Sequence, residues 1–194
     1  PSALVFPRSC LKPFQTLAVL ESGVTLNPLQ TALATASHAG TPRHIEIVQS
    51  ILAEARLEPD ALQCPHDWPR DHAARDELIR QGNHRAAIYM NCSGKHAAML
   101  LACVVNGWPL ETYLEQNHPL QHTIVTTIES LAGESIATTG IDGCGAPVHA
   151  MSLVGLARGI GSITASKTAV SGALTTAVLE NGWAIDGPGR ANTI

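Results

Sequence analysis

The sequence NCSGKHAAML at residues 91–100 constrains the fold more than any other segment, because it passes from polar to apolar within about one helical turn. Its apolar half predicts a helix over residues 93–106 that enters a hydrophobic core. The start of this helix carries a thiol, an amine and an imidazole, from Cys92, Lys95 and His96. Helix capping explains a hydroxyl or an amide at such a position, but it does not explain this set.

Helical patterns also dominate the rest of the chain. Three short segments have the composition of strands, and they fall at residues 3–6, 86–90 and 136–139. Seven further segments have the periodicity, opening prolines or terminal glycines of helices, and they cover residues 11–22, 28–36, 42–55, 67–81, 119–131, 148–159 and 166–181. The sequence therefore predicts an α+β fold that consists mostly of helices.

The composition excludes two function classes. A chain of 194 residues with 45% hydrophobic and 14% charged residues can bury a sizeable core in one domain, and we find no segment with the composition of a linker. A net charge of −4 without a basic cluster, and only 4% aromatic residues, argue against nucleic-acid binding. Because no apolar run reaches about 18 residues, no membrane span is expected.

The cysteines predict a reducing environment. The chain has five, at positions 10, 64, 92, 103 and 144. An odd number in a chain that is neither short nor rich in cysteine favours free thiols over a disulfide framework. We therefore expect a cytoplasmic protein.

Ser9 and Lys12 form an S-x-x-K motif in the segment PRSCLKPFQ. Residues three apart on a helix lie on one face, so the amine would stand beside the hydroxyl. A desolvated lysine has a lowered pKa, and its neutral form can take the serine proton. The alternative is a capping serine with a solvated lysine. Ser37 and His38 lie between two predicted helices, where a capping role is again the simplest interpretation.

Cys92 and Cys144 are candidate metal ligands. Lys95 follows Cys92 by one helical turn, and Cys144 lies in the glycine-rich segment GIDGCGAP, two residues after Asp142. Two thiolates from separate segments can hold a borderline divalent ion, although His96, His149, Asp142, Lys95 or water would have to complete the site. The alternative is a pair of buried, inert cysteines.

Five segments taken in order resemble one protein family. FPRSCLKPFQ, ASHAG, NCSGKHAAML, HPLQ and GIDGCGAPVHAM are similar to motifs of the rhizobial-type L-asparaginases, the asparaginase II family. The resemblance covers nearly the whole chain. It implies a serine β-lactamase-like or penicillin-binding-protein-like fold, of which this chain would be mostly the helical part. It also implies an amidohydrolase that converts L-asparagine and water to L-aspartate and ammonia in asparagine catabolism, and a homodimer.

The resemblance also assigns roles to residues. Ser9 and Lys12 match one serine–lysine pair of the family, with Ser9 as nucleophile and Lys12 as its general base, and Ser37 matches the serine of a second pair. The substrate-binding positions are Arg8 and Asp142. The zinc ligands are Cys92, Lys95 and Cys144, with water as the fourth.

The sequence further predicts that residues 1–194 form a single asparaginase II-type domain truncated at both ends. The lysine that partners the second serine lies, in family members, beyond this segment, so Ser37 is expected to be unpaired and the chain alone to be weakly active or inactive. Lys167 is expected to be a solvated surface charge. Two other functions stay open: a different serine amidohydrolase, such as a glutaminase-like or penicillin-recognising enzyme, and a non-catalytic zinc-binding remnant.

Overall fold

The computed structural model describes residues 3–166 and 168–190. Within them, the helices pack against one another, and a small antiparallel sheet packs against the helix at residues 153–165 and the turn at residues 8–11. The strands are β1 Leu4–Val5, β2 Thr138–Ile141 and β3 Pro147–Ser152. Short 3-10 turns cover Arg8–Leu11, Pro59–Ala61 and Ala87–Tyr89. The helices are α1 Lys12–Glu21, α2 Pro28–Ala34, α3 Pro42–Glu54, α4 His72–Arg80, α5 Ser93–Asn106, α6 Pro119–Ala132, α7 Leu153–Ala165, α8 Ala169–Glu180 and α9 Gly182–Ile185.

Helices α1 and α5 lie at the centre of the helical layer. Helix α1 packs against α2, α5, α6, α7 and α8, and α5 also packs against α2, α3 and α6. Phe14 of α1 and Met99 and Leu100 of α5 are fully buried. Because apolar side chains cover both helices on several sides, their first turns are fixed relative to each other.

Glycine permits one close approach at the start of α5. A Cβ atom at residue 94 would lie 2.8 Å from Leu33 Cγ and 2.9 Å from the Leu33 carbonyl oxygen. Real Cβ atoms do not approach backbone this closely, so only glycine lets α2 pack against the first turn of α5. At the other end, Gly107 terminates α5 with a φ of 66°.

The sheet presents a loop at one end of the helical layer. Strand β3 is the central strand and pairs with both neighbours in the order β1-β3-β2. The register places Leu4 opposite Ser152 and Ile141 opposite Pro147. Residues 142–146 form the tight β2–β3 connection, closed by a hydrogen bond of 2.9 Å from Asp142 N–H to the Ala146 carbonyl.

Most predicted helices are confirmed. The helix predicted over residues 93–106 has the predicted bounds, and those starting at residues 28, 42 and 119 begin where proline opens them. The helix expected over residues 67–81 starts only at His72, because Asp67 pairs with Ala86 in an isolated β-bridge. The strand pattern at residues 136–139 is confirmed with a shift of two residues.

Two predicted elements are wrong. Residues 148–152, expected to begin a helix, belong to β3, and the helix α7 starts at Leu153. All six residues of β3 are buried, so its apolar run has no alternation that distinguishes a strand from a helix. Residues 86–90, expected to be a strand, contain instead the 3-10 turn Ala87–Tyr89. Among the residues that the structure describes, the β-pairing of this segment is limited to the isolated bridge between Ala86 and Asp67.

The described residues combine many helices with one small three-stranded sheet, and the α+β class stays a prediction. The serine β-lactamase-like arrangement remains a prediction. Within the described ranges, none of the helices combines the length and the apolar character needed to cross a membrane.

We expect Gly94→Ala to destabilise the protein. The added methyl group would meet backbone of α2, so the free energy of unfolding should fall by about 1–3 kcal/mol, the usual cost of overpacking. Gly172→Ala in α8 is the matched control, because a Cβ atom there meets nothing within 4 Å. This control should be neutral or stabilising by about 0.5–1 kcal/mol, since alanine favours helix. Urea unfolding of both variants checks the prediction, and equal effects would contradict it.

Candidate active site

Ser9, Lys12 and Ser37 form one hydrogen-bonded chain. Lys12 Nζ lies 2.7 Å from Ser37 Oγ, and Ser37 Oγ lies 3.1 Å from Ser9 Oγ. Lys12 Nζ also donates to the Ala36 carbonyl oxygen. Ser9 stands in the 3-10 turn Arg8–Leu11, Lys12 begins α1, and Ser37 follows α2. Two segments distant in sequence therefore bring two hydroxyl groups and one amine together.

The three groups lie at increasing depth. Ser9 is exposed and Ser37 is half-buried, whereas Lys12 is only 1% exposed. Burial lowers the pKa of Lys12, because desolvation disfavours the ammonium form. A buried amine with a lowered pKa, in contact with a hydroxyl, has the properties of a general base.

The direct pairing expected from S-x-x-K is wrong. Lys12 makes its serine contact with Ser37, and Ser37 lies between the lysine and Ser9. The 3-10 geometry of residues 8–11 explains this, because the motif spans a 3-10 turn and the start of a helix rather than one regular helix. The expectation that Ser37 is unpaired is also wrong, since Lys12 contacts it. Lys167 lies outside the described residues.

Cys92, Lys95 and Cys144 form a second, adjoining cluster. Lys95 Nζ donates to Cys144 Sγ at 3.2 Å, and all three side chains are buried. Cys92 Sγ lies 3.2 Å from Asn91 Oδ1. The start of α5 supplies two of these groups, and the β2–β3 loop supplies the third.

The two thiols of this cluster differ in acidity. A hydrogen bond from Cys92 lowers the pKa of Cys144, and the neighbouring His96 and Lys95 lower it further. The same hydrogen bond, together with burial, raises the pKa of Cys92. By contrast, burial raises the pKa of both Cys64 and Cys103 to about 12. Cys144 is therefore set apart from the cysteines that are simply buried.

The donor set of this cluster fits a borderline divalent cation. Two sulfur atoms and an amine are present at a buried point, and thiolates are preferred ligands of such ions. Among residues 3–166 and 168–190, no group of three His, Cys, Asp or Glu side chains could hold a metal ion. A metal at this point would therefore need Lys95 as a ligand, in its neutral form. His149, considered as a ligand above, contacts Thr139 Oγ1 through Nδ1 at 3.0 Å.

His96 is buried behind the cluster. Its Nδ1 lies 2.7 Å from the Tyr113 hydroxyl, which accepts a hydrogen bond of 3.1 Å from Gln63 N–H. Tyr113 is fully buried, and Nδ1 is the acceptor that its hydroxyl proton contacts, so the neutral imidazole carries its proton on Nε2. Burial lowers the pKa of His96, in agreement with a neutral ring.

Arg8 and Asp142 form an ion pair close to Ser9 and Cys144 in the chain. Arg8 Nε lies 2.8 Å from Asp142 Oδ1, and the arginine side chain is 68% exposed. Arg8 has a φ of 50°, a left-handed conformation that a non-glycine residue adopts only at an energetic cost. The pair connects the turn that carries Ser9 to the loop that carries Cys144. Both predicted substrate-binding residues are thus beside the two clusters.

The polar residues at the start of α5 have contacts that the sequence predicted only in part. Capping by a hydroxyl or an amide does not occur at the start of α5, because Cys92 is the N-cap residue and makes no capping hydrogen bond through its side chain. Ser93 Oγ instead donates to the Ile88 carbonyl and contacts His38 Nε2. Sequence reasoning missed the His38–Ser93 contact, because its partners are 55 residues apart.

Comparison of the sequence with known protein families gives one match. The model of the family described as L-asparaginase II matches residues 1–194. A search of curated proteins found no match.

We expect the stability of the protein to fall in mild acid. Burial lowers the pKa of His38 and of His44 below the ordinary histidine value of about 6.5. As the pH falls, these two histidines therefore bind protons at a higher pH in the unfolded chain than in the folded protein. The stability is fully present above the unfolded pKa and decreases below about pH 6.5, by up to about 1.4 kcal/mol per pH unit for each histidine.

Urea unfolding between about pH 8 and about pH 5.5 checks this prediction. His44→Gln should reduce the acid-induced loss, and glutamine can still accept the hydrogen bond from Thr41 N–H that His44 Nδ1 accepts at 3.2 Å. His84→Gln, at an exposed position, should leave the loss unchanged. An identical loss in both variants would contradict the assignment.

Proposed function

The chain belongs to the L-asparaginase II family, and we propose that it hydrolyses L-asparagine to L-aspartate and ammonia through a serine–lysine mechanism. The observation that carries this proposal is the contact of the buried Lys12 amine with Ser37, which in turn contacts Ser9. A buried amine beside two linked hydroxyl groups suits acyl transfer from an amide.

Ser9 is the proposed nucleophile because it is the exposed end of the chain. Neutral Lys12 takes the proton of Ser37, and Ser37 takes the proton of Ser9 as the Ser9 oxygen attacks the side-chain amide carbon. The carbon–nitrogen bond then breaks, the nitrogen takes a proton back through the same chain, and ammonia leaves. Water attacks the resulting ester with the same groups as base, which releases L-aspartate and regenerates Ser9.

Arg8 and Asp142 are the proposed substrate-binding residues. L-Asparagine carries an α-carboxylate and an α-ammonium group, and the ion pair offers one charge of each sign beside Ser9. The substrate would exchange the internal pair for two pairs with its own charges. Such bidentate placement can orient the side-chain amide toward the nucleophile.

Cys92, Lys95 and Cys144 would hold a zinc ion. When bound, zinc supplies a positive charge that polarises or positions a nearby ligand. None of these three side chains carries a proton in the path from Ser9 to Lys12, but all three act electrostatically on the pKa of Lys12. The β-lactamase-like fold, the homodimer and the cytoplasmic location belong to the same proposal.

The L-asparaginase proposal competes with two alternatives. A glutaminase-like enzyme would use the same serine–lysine chain on a substrate longer by one methylene, which a pocket distinguishes by only about 1–3 kcal/mol. A zinc-binding remnant would keep Cys92 and Cys144 but release no ammonia. Ammonia release from L-asparagine, with L-glutamine assayed beside it, separates the three.

We expect Ser9→Ala and Lys12→Met to reduce kcat for ammonia release by at least about 1,000-fold, since each removes a reacting group. Ser37→Ala should also reduce it, because the proton would lose its path to Lys12. Ser130→Ala, at an exposed position of α6, is the control and should retain wild-type turnover. Full activity of Lys12→Met would exclude Lys12 as the base.

We expect purified protein to contain about one zinc ion per chain, and Cys92→Ser with Cys144→Ser to lose it. Cys10→Ala with Cys103→Ala is the matched control, because Cys10 is exposed and Cys103 is buried in the main hydrophobic core. Elemental analysis after dialysis measures the content directly. Equal zinc in both double variants would place the metal elsewhere.

A further inference from the structure

His38 directly follows Ser37, and its side chain is tied to helix α5. His38 Nε2 lies 3.0 Å from Ser93 Oγ, and the imidazole is fully buried. His38 N–H also donates to the Asn91 carbonyl at 3.1 Å. One residue therefore attaches the segment that carries Ser37 to the start of α5 through both its backbone and its side chain.

The direction of the side-chain hydrogen bond follows from its neighbour. Ser93 Oγ donates its proton to the Ile88 carbonyl at 2.8 Å, so it can only accept from His38. His38 must then carry its proton on Nε2. Its Nδ1 has no hydrogen-bond partner within the described ranges. Burial favours this neutral ring, because it lowers the pKa of His38 well below the ordinary value.

Backbone hydrogen bonds connect the same segment to residues 185 and 186. Ser37 N–H donates to the Ile185 carbonyl at 3.2 Å, and Ala39 N–H donates to the Asp186 carbonyl at 2.5 Å. The His38 ring stacks on His44 with centroids 5.3 Å apart. In the part of the chain that the structure describes, Ser93 gives the His38 ring its hydrogen-bond contact with α5.

We propose that His38 is a positioning residue that fixes Ser37 between Lys12 and Ser9 through its hydrogen bond to Ser93. The inference rests on the proposed function, because it assigns Ser37 to the proton path. His38 touches neither substrate nor the reacting atoms. Without the Nε2–H donor, the backbone hydrogen bond to Asn91 holds this segment to the start of α5 without the help of the side chain, so Ser37 can shift. A displacement of about 1 Å can cost about 100-fold in rate.

The decisive variants are His38→Gln and His38→Met. The two side chains have similar length and volume, but only glutamine has an N–H donor at the position of Nε2. We expect His38→Met to lower kcat for ammonia release by about 10- to 100-fold with KM changed less than about twofold. His38→Gln should recover at least about tenfold of that loss. Ser93→Ala should lower kcat about as much as His38→Met does. The double variant with both substitutions should lose no more kcat than either single variant.

A second readout does not depend on turnover. In ¹⁵N NMR of the imidazole groups, wild-type His38 should be the Nε2–H tautomer at about pH 8. Exchange of the Ser37 amide with deuterium should be faster in His38→Met by at least about tenfold, and His38→Gln should restore protection. The amide of Leu174, buried in α8, serves as the internal reference and should be unchanged.

The two readouts separate the possible failures. If the wild-type protein releases no ammonia while the Ser37 amide responds as expected, the proposed function fails and the fixing of Ser37 by His38 stands. If His38→Met and His38→Gln have equal kcat at equal thermal stability, or if His38 carries its proton on Nδ1, the positioning role is overturned. Equal exchange of the Ser37 amide in all variants overturns it as well.

Discussion

Burial of the Lys12 amine is the constraint on which the arrangement of the site depends. An ammonium or amine removed from water at 1% exposure costs several kcal/mol unless acceptors surround it. The Ala36 carbonyl and Ser37 Oγ supply them, so the segment after α2 must lie against the first turn of α1. The same contacts that satisfy the lysine therefore assemble the serine–lysine chain, and burial lowers the pKa of Lys12, which favours its neutral form.

The two clusters of polar side chains are connected through the hydrophobic core and not through one helix or strand. Lys12 begins α1, whereas Lys95 lies in the first turn of α5, and the two central helices hold these turns side by side. Gly94 permits α2 to approach α5, which brings the end of α2 and the following Ser37 close to the same point. Packing of apolar side chains far from the site thus determines how polar groups meet within it.

The Arg8–Asp142 ion pair differs from these buried contacts in its exposure to solvent. Arg8 is largely exposed and pairs with Asp142, so this contact contributes little to stability and can exchange with a charged ligand at small cost. Cys144, two residues further, is buried beside Lys95 and has a lowered pKa. A short loop therefore carries both the carboxylate that pairs with Arg8 and the buried Cys144 thiol beside Lys95.

The sequence by itself determined the helices that proline opens and glycine ends, and it placed Ser9, Lys12, Ser37, Cys92, Lys95 and Cys144 on segments that meet. These signals are local, because periodicity and capping act within a few residues. Only the tertiary structure decided that Lys12 contacts Ser37 rather than Ser9, that Ser93 binds His38 rather than capping α5, and that residues 147–152 form a strand. Each of these depends on a partner distant in sequence, and a buried donor or strand takes the partner that packing brings to it.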